Sequence, residues 1–137
     1  ENGKEIGENK IRLFTINKND AYDYNDVSNV HLSNLDFTFP SANKHYEYDK
    51  MNPFIVSYQN KYGVLPNKYA IRGFDVTYDI LLRLASAETL FDTSSNPIRT
   101  EYIENKFQYV SRQMSGFKNT AFYIIKYNKA LQLEVVE

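Results

Sequence analysis

Two helices joined by a short glycine-to-proline connection constrain this chain more than any other stretch, and the remaining segments read as things that pack around them. Asn52-Pro53 has the form of an N-cap followed by proline at the first helical position, where the missing N–H costs nothing. The helix it opens runs to about Tyr62 with Phe54, Ile55, Tyr58 and Tyr62 facing inward, and Gly63 is the natural residue to close it in a left-handed conformation. Pro66 then opens a longer helix to about Ala87. Along it Tyr69, Ala70, Phe74, Thr77, Tyr78, Leu81 and Leu84 fall at the i, i+3, i+4 spacing that predicts one buried stripe. Asp75, Asp79 and Arg83 are thereby assigned to the solvent face, the last two in the favourable i, i+4 order. Gly73, which costs about 1 kcal/mol relative to alanine inside a helix, predicts a neighbouring backbone close by.

Upstream, residues 1–9 are polar with two glycines and form a flexible lead-in to a domain spanning 10–137. Ile11 to Ile16 is β-branched and aromatic and predicts a strand. Tyr22 to Leu35 reads as loop with a short helical turn, and Asp36-Phe-Thr-Phe39 as a strand stopped by Pro40, which cannot donate to a ladder. Downstream, Phe91 to Pro97 is a loop and Thr100 to Asn105 a short helix. Phe107 to Val110 is extended and Gly116 to Asn119 a turn. Ala121 to Tyr127 and Leu131 to Val136 form a hairpin across Asn128-Lys-Ala130. This order of elements gives an α/β class with a three-layer tendency.

Composition removes several functions. The net charge is -1, with 16 basic and 17 acidic side chains dispersed along 137 residues, so nucleic acid is not an expected partner. No run of apolar residues reaches the length of a membrane span, so membrane insertion is not expected either. The absence of cysteine excludes disulfides, thiolate nucleophiles and cysteine-bound zinc. The chain is tyrosine-rich, with 12 Tyr and 9 Phe but no Trp. That bias suits binding pockets, and it equally suits ordinary half-buried elements.

Few residues offer themselves for chemistry. His31 and His45 lie in different segments with no carboxylate pair at metal-ligand spacing, so neither a metal nor a cofactor is expected. Asp75 and Asp79 sit beside Arg72 and Arg83, the pattern of a solvated helix face rather than of paired catalytic carboxylates. The glycines at 63, 73 and 116 stand alone, and no nucleophile-elbow or phosphate-loop motif occurs. The chain is therefore expected not to be an enzyme. The loop Ser41 to Asp49 follows a strand end, where open α/β sheets bind ligands, and its Ser41, His45, Tyr46 and Tyr48 are the candidate ligand contacts.

The spacing Phe37-Thr-Phe-Pro40, then Phe54-x3-Tyr58-x3-Tyr62-Gly63-x2-Pro66-x2-Tyr69-Ala70, then Gly73-Phe74-Asp75-x2-Tyr78-Asp79, resembles the type I periplasmic binding-protein fold, the branched-chain amino-acid-binding-like receptors. It is most similar to bacterial envelope versions that follow LysM peptidoglycan-binding modules. The resemblance runs from about Ile11 to Glu137, against roughly the last third of a typical member. It gives Gly63, Pro66, Gly73, Phe74 and Tyr78 structural roles. It implies a non-catalytic domain binding an amino-acid-like small molecule, in the periplasm or cell envelope, within a substrate receptor of an ABC transporter. It also implies two lobes closing by hinge motion. A chain carrying only part of that fold would expose surfaces that favour a homodimer. The alternative is an envelope interaction module that keeps the fold without the ligand.

Overall fold

The computed structural model describes residues 11–24, 26–45, 52–89, 92, 98–112 and 116–136. The chain is a mixed α/β protein with small sheets, and it divides into two compact units, one of residues 1–40 with 124–137 and the other of residues 41–123. The lead-in, most of the loop from Phe91 to Pro97, and Tyr46 and Tyr48 lie outside the described residues.

The first unit is built on a three-stranded sheet in the order β1 (Thr38–Ser41), β6 (Tyr123–Tyr127), β7 (Leu133–Val135). β6 and β7 form the expected antiparallel hairpin, with Ile125 opposite Val135 and Tyr127 opposite Leu133. Asn128 shapes its turn by accepting from the backbone N–H groups of Ala130 and Gln132 through its side-chain oxygen. The short helical turn expected between Tyr22 and Leu35 is helix α1 (Asn29–Asn34), and a short 3-10 turn (Asp20–Asp23) precedes it. Phe37, fully buried, stacks on Tyr22 at 4.8 Å and on Tyr127 at 6.3 Å.

The expected strand over Ile11 to Ile16 is instead a single parallel bridge, Phe14 to Thr38, with Ile11, Phe14 and Ile16 exposed. Its ladder can be followed to its end: Thr38 N–H donates to Leu13 O and Thr15 N–H to Thr38 O. The next bond in that register would come from residue 40, which is proline and has no N–H. Pro40 therefore does not end β1, which continues to Ser41, but it does end the pairing on β1's outer side.

The second unit carries the two helices. α2 (Pro53–Tyr62) is capped as expected: Asn52 Oδ1 accepts from the N–H groups of Phe54 and Ile55, and Gly63 closes it at φ 72°. Ile55 is buried, Phe54 and Tyr58 are half-buried, and Tyr62 is exposed rather than inward. α3 (Lys68–Ser86) starts two residues later than Pro66, because Asn67 is a better cap, accepting from Tyr69 and Ala70. Pro66 is buried in the connection ahead of it.

Beyond α3, Thr100 to Asn105 is not helical. β2 (Thr100–Glu101) and β3 (Lys106–Phe107) make a tight antiparallel hairpin, closed by a Tyr102 N–H bond to Asn105 O at 2.8 Å. β4 (Tyr109–Arg112) pairs with β5 (Gly116–Asn119), so the expected turn at Gly116 is a strand. The core of this unit is Ile55, Ile71 and Ile103, with Phe54 and Phe74 against it.

α3 is turned the other way from the expectation. Asp75 and Asp79 are 0% exposed and Arg83 is 6%, while Tyr69 is 70% and Leu81 58% exposed. Gly73 lies on the open side, where an added Cβ meets nothing within 4 Å, so no backbone approaches it. Gly73→Ala is therefore expected to stabilise the protein by up to about 1 kcal/mol, through helix propensity alone. A urea titration reads this as a higher midpoint at unchanged slope, and a fall in the midpoint would mean that the position is covered.

Candidate functional site

Two features of the second unit follow from this orientation of α3: a buried polar spine, and an open aromatic cleft beside it. The spine begins with Asp75. Its carboxylate accepts three backbone N–H groups of the β2–β3 turn, from Ile103 at 3.2 Å, Glu104 at 2.8 Å and Asn105 at 2.9 Å. A tight turn leaves such N–H groups pointing at one place, and a carboxylate is the one side chain that accepts from all of them. One helical turn before it, Arg72 Nε donates to Glu104 at 2.9 Å, clamping the same turn from outside.

One turn further on, Asp79 accepts from Arg83 Nε at 2.8 Å, from the Thr100 hydroxyl at 2.7 Å and from the Tyr102 hydroxyl at 3.0 Å. The Arg83 guanidinium in turn lies 4.7 Å from the centre of the Tyr109 ring, within cation–π range. Spacing by four along α3 thus ties β2, the turn and β4 to one helix face.

The two carboxylates titrate in opposite directions. Burial pushes Asp75 up, against the pull of its three backbone donors, and the Glu104 charge adds to the rise. Burial also pushes Asp79 up, but the bonds from Arg83, Thr100 and Tyr102, with the Arg83 charge, outweigh it and hold the carboxyl below the usual range. Burial, then the charge of Asp79, raises Tyr109 to about 12.

The sign of the stability effect follows from which state binds more protons. Asp79 contributes stability that is fully present above the unfolded aspartate value near 3.9 and is lost as pH falls through its lower folded value. Asp75 does the reverse: the folded state keeps its proton longer, so stability falls as pH rises from about 3.9 towards the raised folded value. Urea unfolding of Asp79→Asn and Asp75→Asn between about pH 3 and 7 should show differences from wild type that change with pH in opposite senses. Parallel changes would contradict the assignment.

The cleft, about 720 Å³, is lined by Lys44, Asn52, Pro53, Phe54, Ser57, Phe74, Tyr78, Tyr102 and Ile103. The first turns of α2 supply Phe54 and Ser57, and α3 supplies Phe74 and Tyr78 at i, i+4 spacing. Phe54 stacks on Phe74 at 4.1 Å and 16°, and Phe74 on Tyr78 at 5.4 Å and 14°. Tyr102 meets Tyr78 edge-on at 5.7 Å. Among the described lining residues Lys44 alone is charged, and its ammonium donates to Glu101 Oε1 at 2.6 Å.

Of the four candidate ligand contacts, Ser41 and His45 are described, and neither is among the residues that line this cleft. The Ser41 hydroxyl donates to Asn43 O at 2.6 Å, shaping its own turn, and His45 is exposed. The loop does reach the cleft through Lys44, the residue between them. Phe74 and Tyr78, assigned to a buried stripe, are half-buried and exposed respectively and form cleft wall. The signal for the spine is present in the sequence as two acidic residues and one basic at i, i+4 spacing, 75, 79 and 83, a pattern that a solvated helix face shares.

Among the described residues no three His, Asp or Glu side chains are grouped to hold a metal ion, and no helix is long and apolar enough to cross a membrane. No protein-family model, curated protein or solved structure matches this chain.

Proposed function

We propose that this chain is a non-catalytic small-molecule-binding domain of a bacterial cell-envelope receptor, built as the C-terminal part of a type I periplasmic binding-protein-like fold and taking an amino-acid-like ligand. The observation that carries the reading is the cleft of the second unit. Its volume, about 720 Å³, lies within the range of natural ligand sites, and its wall combines aromatic rings with a few polar groups at Lys44, Asn52 and Ser57. The polar spine supports the same reading, since it fixes α3 and the β2–β3 turn and so holds Phe74, Tyr78 and Tyr102 in place before any ligand arrives.

The test is thermal unfolding of the whole chain against a panel of L-amino acids and small carboxylates. A ligand at about 100 times its Kd adds about 2.7 kcal/mol to stability and shows as a clear rise in Tm. Tyr78→Ala should abolish that rise, measured against the variant's own ligand-free Tm. No rise with any compound would remove this reading.

A second reading, an envelope interaction module without a small ligand, is favoured by the outer face of α3. Tyr69, Val76, Leu81 and Leu84 are all exposed there. Contiguous exposed apolar side chains on a small domain mark contact surfaces. Light scattering separates the readings: association lost on Leu81→Glu, together with a flat ligand panel, supports the module.

A further inference from the structure

Within the small-molecule reading, on which this inference rests, we infer that the ligand class is an aromatic carboxylate, its ring laid on the Phe54–Phe74–Tyr78 tier and its anionic head on Lys44. Three observations point there. The ring planes of Phe54, Phe74 and Tyr78 differ by only 16° and 14° between successive members, with centres 4.1 and 5.4 Å apart, so the three rings form a displaced stack that a planar apolar group can join by offset stacking. An aliphatic amino-acid side chain gains less from such a surface, and a small polar one leaves it wet.

The second observation is charge. Among the described residues lining the cleft only Lys44 is ionic. A ligand anion therefore finds a counter-charge there. The third is that Lys44 has donors to give. An ammonium carries three, and the contact to Glu101 engages one. That pair is partly exposed on both sides, and such pairs hold weakly enough for a ligand carboxylate to share the cation. The charge of Lys106 also acts on Glu101, which stays compensated when Lys44 turns to a ligand. Ser57, one turn along α2 from Phe54, offers a hydroxyl to the second carboxylate oxygen.

The experiment titrates the full chain, by heteronuclear NMR, with 3-phenylpropionate, its uncharged amide, and glycine or serine. The expected result is saturable binding of 3-phenylpropionate with shifts at Phe54, Phe74 and Tyr78. Binding should be at least tenfold weaker for the amide and weakened to the same degree by Lys44→Gln, a half-exposed position whose change leaves the spectrum of the free protein folded. If Lys44→Gln and the amide bind as well as wild type and acid, the anionic head is wrong and the inference falls. Binding of glycine or serine without binding of 3-phenylpropionate overturns the aromatic class and leaves the small-molecule reading standing. Silence from every probe overturns the aromatic class, whereas the small-molecule reading falls only if the wider thermal-unfolding panel is flat as well.

Discussion

Replacing Asp79 by alanine is expected to cost about 3–5 kcal/mol, the loss typical of a buried ion pair deprived of one partner. The reason lies in what remains. Arg83 would stay 6% exposed with only the Ile98 carbonyl and the Thr100 hydroxyl, each at 3.4 Å, to accept from it. The hydroxyls of Thr100 and Tyr102 would lose their acceptor as well. Small domains have about 5–15 kcal/mol in total, so the variant is expected at the margin of folding. Arg83→Ala should cost less, because Asp79 keeps two hydroxyl donors at 2.7 and 3.0 Å. The double variant Asp79→Ala with Arg83→Ala should lose less than the sum of its parts, by about 1–3 kcal/mol of coupling. Urea unfolding followed by far-ultraviolet circular dichroism measures all three, and a loss under about 1 kcal/mol for Asp79→Ala would place the pair among ordinary surface contacts.

The second large effect is expected at Asp75, where the replacements distinguish charge from hydrogen bonding. Asp75→Ala strands three N–H groups of the β2–β3 turn, each costing about 1–3 kcal/mol when buried without a partner. Asp75→Asn should be milder. Its amide oxygen can take the place of Oδ2, which serves both Glu104 and Asn105, so only the Ile103 N–H is left facing a donor. Hydrogen exchange at Ile103, Glu104 and Asn105 gives the local readout. Protection should vanish at all three in Asp75→Ala and mainly at Ile103 in Asp75→Asn. Equal loss in both variants would show that the negative charge, not the number of acceptors, holds the turn. Because the turn also carries Tyr102 and Ile103 into the cleft, either variant should weaken any ligand that binds there.

What could be read from the residues alone was local. Asn52-Pro53 and Gly63 bound a helix by backbone chemistry confined to a few neighbouring residues, and the structure has that helix over Pro53–Tyr62. The hairpin of Tyr123–Tyr127 with Leu133–Val135 followed from β-branched runs around a turn, and the mixed α/β class from the order of such elements. The existence of α3 was equally legible, from its period. Which face of α3 points inward was not. Its sequence is apolar almost all the way round: Phe74, Tyr78, Leu81 and Leu84 make one i, i+3, i+4 series and Val76, Ile80 and Leu84 another, so periodicity offers more than one stripe. The choice fell to partners distant in sequence: three N–H groups at residues 103–105 that needed an acceptor, and an arginine that Asp79, Thr100 and Tyr109 could surround. The cleft was hidden for the same reason, since Phe74 and Tyr78 become its wall only when the carboxylates beside them turn inward. Short-range rules fix where a helix starts and stops. Its rotation is decided by whichever distant groups would otherwise be buried without a partner, and that is a property of the assembled tertiary structure.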